Sequence, residues 1–240
     1  GFDAGRDAGR DAGFDAGRDA GLDSGPRRPA LRFAVDDFLD LSRGPSLDLV
    51  SEATIEMWAR LPSAGLTGDF CSKGDVMAMH LRLGVANGRL TGGWQVDLRS
   101  RIVIGPVLPT GRWVHVAMVQ RPDAAGRTSI ELFVDGASVA VQSFEPDVAD
   151  AINTLPLMCG RMSVDLDEIR LWRLARRQVD IAANRNNRIA GSTPGLVGYW
   201  RLDENGQLAI DYSTNGLTGV LGRFPVMDAA DPLWIPDGAL

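Results

Sequence analysis

Lysine is almost missing from this chain: Lys73 is the only one among 25 basic residues, the rest being arginine. That bias reflects a GC-rich coding sequence more readily than arginine chemistry. Against 31 acidic residues the formal net charge is −6, and no basic stripe appears. Nucleic acid, which demands clustered cations for its phosphates, is therefore excluded as the expected partner. Histidine is nearly as scarce, with His80 and His115 alone. Two cysteines, Cys71 and Cys159, are too few for a disulfide scaffold and lack the spacing of a metal knuckle. One bridge, or two small buried hydrophobes in neighbouring strands, both remain open. No apolar run approaches the roughly 20 residues that a membrane-spanning helix needs. A starting methionine is also missing. Gly1 opens in mid-repeat, so an upstream segment carrying any signal peptide or lipid anchor is expected.

From Gly1 to Gly25 the chain repeats Gly-x-Asp-Ala every four residues. Glycine at every fourth position opposes a helix, the few large apolar side chains cannot build a core, and the collagen period of three is absent. A disordered linker over residues 1–29 is expected. Its aspartates do not follow the Gly-Gly-x-Gly-x-Asp pattern of calcium-binding repeats. After Pro26 and Pro29 the composition shifts to short apolar stretches separated by turn residues, which sets a domain over 30–240.

Within that domain Ala53, Ile55, Met57 and Ala59 alternate with other residues, as do Val114, Val116 and Met118, and Ile130, Leu132 and Val134. Period two predicts strands. Asp135-Gly136 lies between two such runs and suits a two-residue hairpin. Further strands are expected at Ala30 to Phe33, Val76 to Leu83, Gly88 to Leu98, Leu157 to Gly160, Val164 to Trp172 and Gly195 to Leu202. Only Gln178 to Ile189 reads as a helix, with Val179, Ala182, Ala183 and Asn186 on one side. Many short strands at this spacing predict a two-sheet sandwich or a barrel.

A set of segments in fixed order resembles the laminin G-like jelly rolls of the concanavalin A-like lectin/glucanase superfamily: ALRFAVDDFLDL (30–41), TIEMWARL (54–61), FCSKGD (70–75), GRWVHVAMV (111–119), ELFVDG (131–136), DLDEIRLWRLARR (165–177), GLVGYWRLDE (195–204) and DYSTNGLTGVLG (211–222). The resemblance covers nearly all of 30–234. It implies an all-β, antiparallel jelly-roll β-sandwich. It also implies a secreted or cell-surface binding module, extracytoplasmic in location, whose partner is a glycan or an extracellular protein. A structural or adhesion domain without a small ligand is the alternative, and a diverged glycan hydrolase a more distant one. Family members carry Phe-Asp-Gly before the Asp-Asp pair, where this chain has Phe33-Ala34-Val35, so one acidic residue is missing.

Glycosidases on this fold need paired carboxylates on one strand face. Glu52 and Glu56 lie four apart without a third, while Asp165, Asp167 and Glu168 sit on a strand that the resemblance makes structural, so no catalytic residue is expected. His115, inside Trp-x-His-Val, is expected to be structural. The resemblance makes a structural calcium ion (Ca2+) the most plausible inorganic ligand. Asp167 is its expected ligand, with Asp36 and Asp37 in second place; turn capping is the competing role for these aspartates. Most tryptophans, Trp58, Trp113, Trp172 and Trp200 among them, fall in strand motifs and should be core. Trp94 is preceded by Gly92-Gly93 and followed by Gln95, Asp97 and Arg99, which leaves two roles open: a buried core position, or, if the module binds glycans, a sugar-stacking platform with Gln95 hydrogen-bonding hydroxyls.

Overall fold

The computed structural model describes residues 28–41, 47, 49, 51–74, 78–96, 99–145 and 155–240. The Gly-x-Asp-Ala linker lies outside them, as does Asp97. In chain order the elements are β1 (Ala30–Phe33), β2 (Phe38–Asp40), β3 (Ala53–Arg60), β4 (Gly68–Gly74), β5 (Ala78–Ala86), β6 (Arg89–Val96), β7 (Arg99–Val107) and β8 (Val114–Pro122). They continue with β9 (Thr128–Val134), β10 (Ala137–Phe144), β11 (Leu157–Gly160), β12 (Val164–Trp172), α1 (Gln178–Asn184), β13 (Leu196–Trp200), β14 (Leu208–Ala209), β15 (Gly219–Leu221) and β16 (Leu233–Ile235).

The strands form two antiparallel sheets. The first runs β10-β9-β8-β3-β12-β1-β16, with β13 continuing the edge of β12 beyond β1; the second runs β14-β15-β2-β11-β4-β5-β6-β7. Their inner faces make one core. Leu31, Ile55, Met57, Val116 and Met118 from the first sheet meet Leu39, Leu83, Val85 and Val103 from the second, all at 2 % exposure or less. The expected two-sheet sandwich is what the chain forms.

Period two accounts for the inner face but not for the outer residues of β3, β8 and β12, which are buried as well. The cover is α1 and the segment around it: Ile181, fully buried, packs on Ala117, Val119 and Phe133. The helix is shorter than expected and turned. Val179, placed on its apolar side by the sequence reading, is 63 % exposed, because the single large residue that reaches the sheet is Ile181.

The hairpin at Asp135-Gly136 forms as expected, with φ of 49° and 82°, and joins β9 to β10. Cys71 and Cys159 are joined in a disulfide between the neighbouring strands β4 and β11. The segment 211–222, expected as the closing strand, is mostly a polar turn. Asp211 there accepts hydrogen bonds from the Tyr199, Ser213 and Leu217 amides, and only Gly219–Leu221 is strand. Closure falls to β16, which pairs with β1.

Candidate functional site

Strand alternation in β2 and β11 sends Leu39 and Cys159 into the core and leaves Phe38, Asp40 and Met158 on the outer face of the second sheet. Phe38 and Met158 floor a groove of about 770 Å³ walled by Val35, Asp36, Arg161, Arg223, Phe224 and Asp228. A second hollow of about 400 Å³, lined by Asp40, Leu155, Pro156 and Gly222, shares Phe38, Met158, Arg161 and Arg223 with the first and extends it.

The walls are held by backbone hydrogen bonds. Asp37 Oδ2 accepts the Ala34 amide at 2.7 Å, closing the turn that carries Val35 and Asp36. The Arg161 amide donates to the Asp37 carbonyl at 2.7 Å, with Arg161 at a φ of 61°. On the other wall Asp228 accepts the Ala230 amide at 2.7 Å and the Arg223 amide at 3.0 Å, and these donors hold its carboxyl below the usual range. Asp231 in turn accepts the Asp228 amide, and the Gly222 and Phe38 amides donate to Phe38 and Ala230 carbonyls. The loop thereby presents Phe224, Val226 and Met227 at 59 %, 63 % and 84 % exposure.

Sequence reading missed Arg161, Arg223 and Phe224. The available signal was the apolar stretch Phe224-Pro225-Val226-Met227, set between Gly222 and Asp228 with no partner strand.

Trp94 is placed elsewhere, and its role as a stacking platform is corrected. It is 8 % exposed, belongs to the core, and meets Phe144 edge-on with ring centroids 5.8 Å apart. The glycines before it serve packing. A Cβ on Gly92 would sit 2.7 Å from Leu132 Cδ2, and one on Gly93 would sit 1.9 Å from the Arg101 carbonyl oxygen. They admit the facing sheet and the neighbouring strand rather than a ligand. Gln95, by alternation, faces outward, but β6 is three strands from β11, about 14 Å at the usual strand spacing.

The three aspartates considered for calcium are not brought together. Asp167 is 2 % exposed; its Oδ2 accepts the Ala239 amide at 2.7 Å and its Oδ1 the Glu168 amide at 2.9 Å. Burial, with Glu168 adjacent, pushes its carboxyl well above the ordinary range. Asp37 instead accepts the Arg161 amide at its backbone carbonyl, in the bend that precedes β12. Register explains the separation: Phe33, which leads into the Asp36-Asp37 turn, pairs with Val164, the first residue of β12, so the turn lies beyond the start of the strand that carries Asp167. Asp37 has the capping role. Among the described residues no three His, Cys, Asp or Glu side chains converge as metal ligands, so the residues present do not fit the expected shared calcium site.

The other carboxylates weighed for chemistry are tied into the outer face of the first sheet. Asp165 pairs with Arg32 and Arg60, each at 2.8 Å. Glu56, fully buried, accepts from Arg176 Nη1 at 2.6 Å and Trp172 Nε1 at 3.1 Å. Glu168 accepts from Arg170 Nη2 at 3.0 Å and from the Tyr199 hydroxyl. His115, 1 % exposed, lies edge-on to Trp58 at 5.5 Å, and desolvation together with Arg170, Arg185 and Arg176 holds its pKa down at about 3. It is a neutral structural group. Of the tryptophans expected in the core, Trp172 and Trp200 are there; Trp58 and Trp113 are half-buried, each donating its indole N–H to a backbone carbonyl.

A comparison with curated protein sequences finds no match. Solved structures share the fold. One is described as a candidate carbohydrate binding protein from Bacteroides ovatus, with TM-score 0.59 and 19 % identity over 89 % of this chain; this chain spans 61 % of that one. Another is the CBM40 of the Ruminococcus gnavus IT-sialidase, solved with α2,3-sialyllactose bound, with TM-score 0.51 and 14 % identity over 64 % of this chain and 95 % of its own. A third is the heptameric SAP-like pentraxin of Limulus polyphemus, with TM-score 0.50 and 15 % identity over 83 % of this chain and 97 % of its own. The Laminin_G_3 family model matches residues 33–182, more than half of the chain. With both sheets and their order on that pattern, the protein belongs to the Laminin_G_3 family of the concanavalin A-like lectin/glucanases superfamily.

Proposed function

We propose that this domain is a non-catalytic carbohydrate-binding module of an extracytoplasmic protein, and that its ligand lies in the groove over β2 and β11. The observation that carries the reading is the lining itself. Phe38, Phe224 and Met158 offer apolar surface, while Arg161, Arg223 and Asp36 stand beside them with polar groups. A pyranose has the complementary make-up, C–H faces for the aromatics and hydroxyls for the rim. The non-catalytic part of the reading is supported by how the carboxylates weighed for hydrolysis are used: glycoside hydrolysis needs two that are free to exchange protons across a bound sugar, and Glu56, Asp165 and Glu168 are locked by arginines. Two fold neighbours, the Bacteroides ovatus protein and the sialyllactose-bound CBM40, point the same way. A buried disulfide fits an oxidising compartment.

The experiment is a glycan array covering neutral and acidic oligosaccharides, run on the wild type and on Phe224→Ala. Phe224 is largely exposed, so its truncation should leave the melting temperature unchanged and weaken binding at least tenfold. An array without any binding overturns the reading. In that event a protein partner, favoured by the exposed Val226 and Met227 on the same loop, becomes the better account.

A further inference from the structure

We infer that the sugar bound in this groove is anionic, carrying a carboxylate or sulfate that Arg161 and Arg223 grip together. The inference rests on the proposed carbohydrate reading and narrows its ligand class.

Several surface arginines of this chain are neutralised by carboxylates. Arg32, Arg60, Arg82 and Arg121 each sit in an ion pair of 2.5 to 2.8 Å, at partial or full exposure. Arg161 and Arg223 combine two features: both are exposed without a carboxylate in ion-pair distance among the described residues, and both line each part of the groove.

Asp228 interacts electrostatically with Arg223 but forms no ion pair with its guanidinium. Asp228 spends both oxygens on the backbone amides of Arg223 and Ala230, and Asp37 spends Oδ2 on Ala34. Backbone geometry adds to the case. Arg161 holds a φ of 61°, in the left-handed region that glycine fills without cost, so a residue poorly suited to the position stands where its side chain reaches the groove. A guanidinium presents N–H donors in a planar fork that matches a carboxylate or a sulfate, and it does so best when no protein anion already occupies it. Beside them, Phe38 and Phe224 supply the surface for the ring that bears the charge.

The test measures affinity by calorimetry for three anionic probes and their neutral counterparts: 3′-sialyllactose against lactose, trigalacturonate against its methyl ester, and chondroitin sulfate against desulfated, carboxyl-reduced chondroitin. The first two present carboxylates and the third adds sulfate. At least one anionic probe should bind tenfold or more tightly than its counterpart, with affinity that falls as salt rises. The double variant Arg161→Gln, Arg223→Gln should lose that preference at unchanged melting temperature. If glutamine at the left-handed position disturbs folding, Arg161→Gly preserves the backbone and removes the same charge. Equal affinity for charged and neutral probes, or a preference that survives the double variant, overturns the inference while leaving the carbohydrate reading intact. Failure of every probe, together with a blank glycan array, overturns both.

Discussion

Cys71 and Cys159 face each other directly across the β4–β11 ladder, both fully buried, and their disulfide ties together positions 88 residues apart in sequence. Closing a loop of that size restricts the unfolded chain strongly. Chain-entropy reasoning puts the effect at about 4.6 kcal/mol, within an observed range of about 2–5. The double variant Cys71→Ala, Cys159→Ala should therefore shift the urea midpoint down by a matching amount. Unchanged stability would show that strand pairing alone fixes the reduced chain.

Glu56 is the anion on which Arg176 and Arg170 depend, at 2.6 Å and 3.8 Å, inside a region closed off from water by α1. Arg170 keeps Glu168 at 3.0 Å when Glu56 is removed, but Arg176 is left buried without its anion, a loss on the scale of about 3–5 kcal/mol. Glu56→Ala should lose stability on that scale in chemical denaturation, and Glu56→Gln, which still accepts a hydrogen bond, should lose less. A mild effect of the alanine would mean that water reaches the arginines.

Trp94→Ala separates packing from recognition. A tryptophan at 8 % exposure against Phe144 should cost about 3–5 kcal/mol when truncated. Binding in the groove, measured below the variant's melting temperature, should persist. Wild-type stability with binding lost would return Trp94 to the site.

Acid should destabilise the domain through His115. Its pKa, about 3 when folded, lies below the ordinary 6.5, so between these values the unfolded chain takes up a proton that the folded one refuses. Stability from this group is complete above about pH 6.5 and falls with pH by about 1.4 kcal/mol per unit. Glu204 works in the opposite sense: burial, with Asp203 beside it, raises it to about 7, so the folded chain is the better proton acceptor from pH 7 downward until the unfolded carboxylate titrates. The diagnostic quantity is therefore the difference between wild type and His115→Gln across pH 4 to 7, which should narrow as pH falls. A constant difference would place His115 in contact with solvent.

Much of the sandwich was legible because burial on one face writes period two into the chain. Even the irregularity of β12 is visible. Its inward residues run Val164, Leu166, then Ile169, Leu171, a phase slip at Asp167-Glu168 where the register against β3 shifts and Glu168 takes a φ of 51°. The groove was illegible for the complementary reason. Its walls are loops shaped by aspartates bonding to nearby amides, and such contacts leave no periodic trace. Trp94 misled because a glycine pair reads alike whether it admits a ligand or the Leu132 side chain of the facing sheet. The aspartates weighed for calcium read alike in sequence, yet antiparallel pairing sets the Asp36-Asp37 turn beyond the first residue of β12 while Asp167 lies inside that strand.

The pairing of β1 with β16 sets how the domain answers a mechanical load. Ala30 lies opposite Ile235, and the Gly238 amide donates to the Arg28 carbonyl, so both ends leave from the same side of an antiparallel pair. Tension between them would peel these bonds one after another, like a zipper, instead of shearing them all at once. The disulfide then limits what further pulling can release. Residues between Cys71 and Cys159 stay off the stretched path, and force spectroscopy should record a contour length shortened by that hidden loop, restored under reductant.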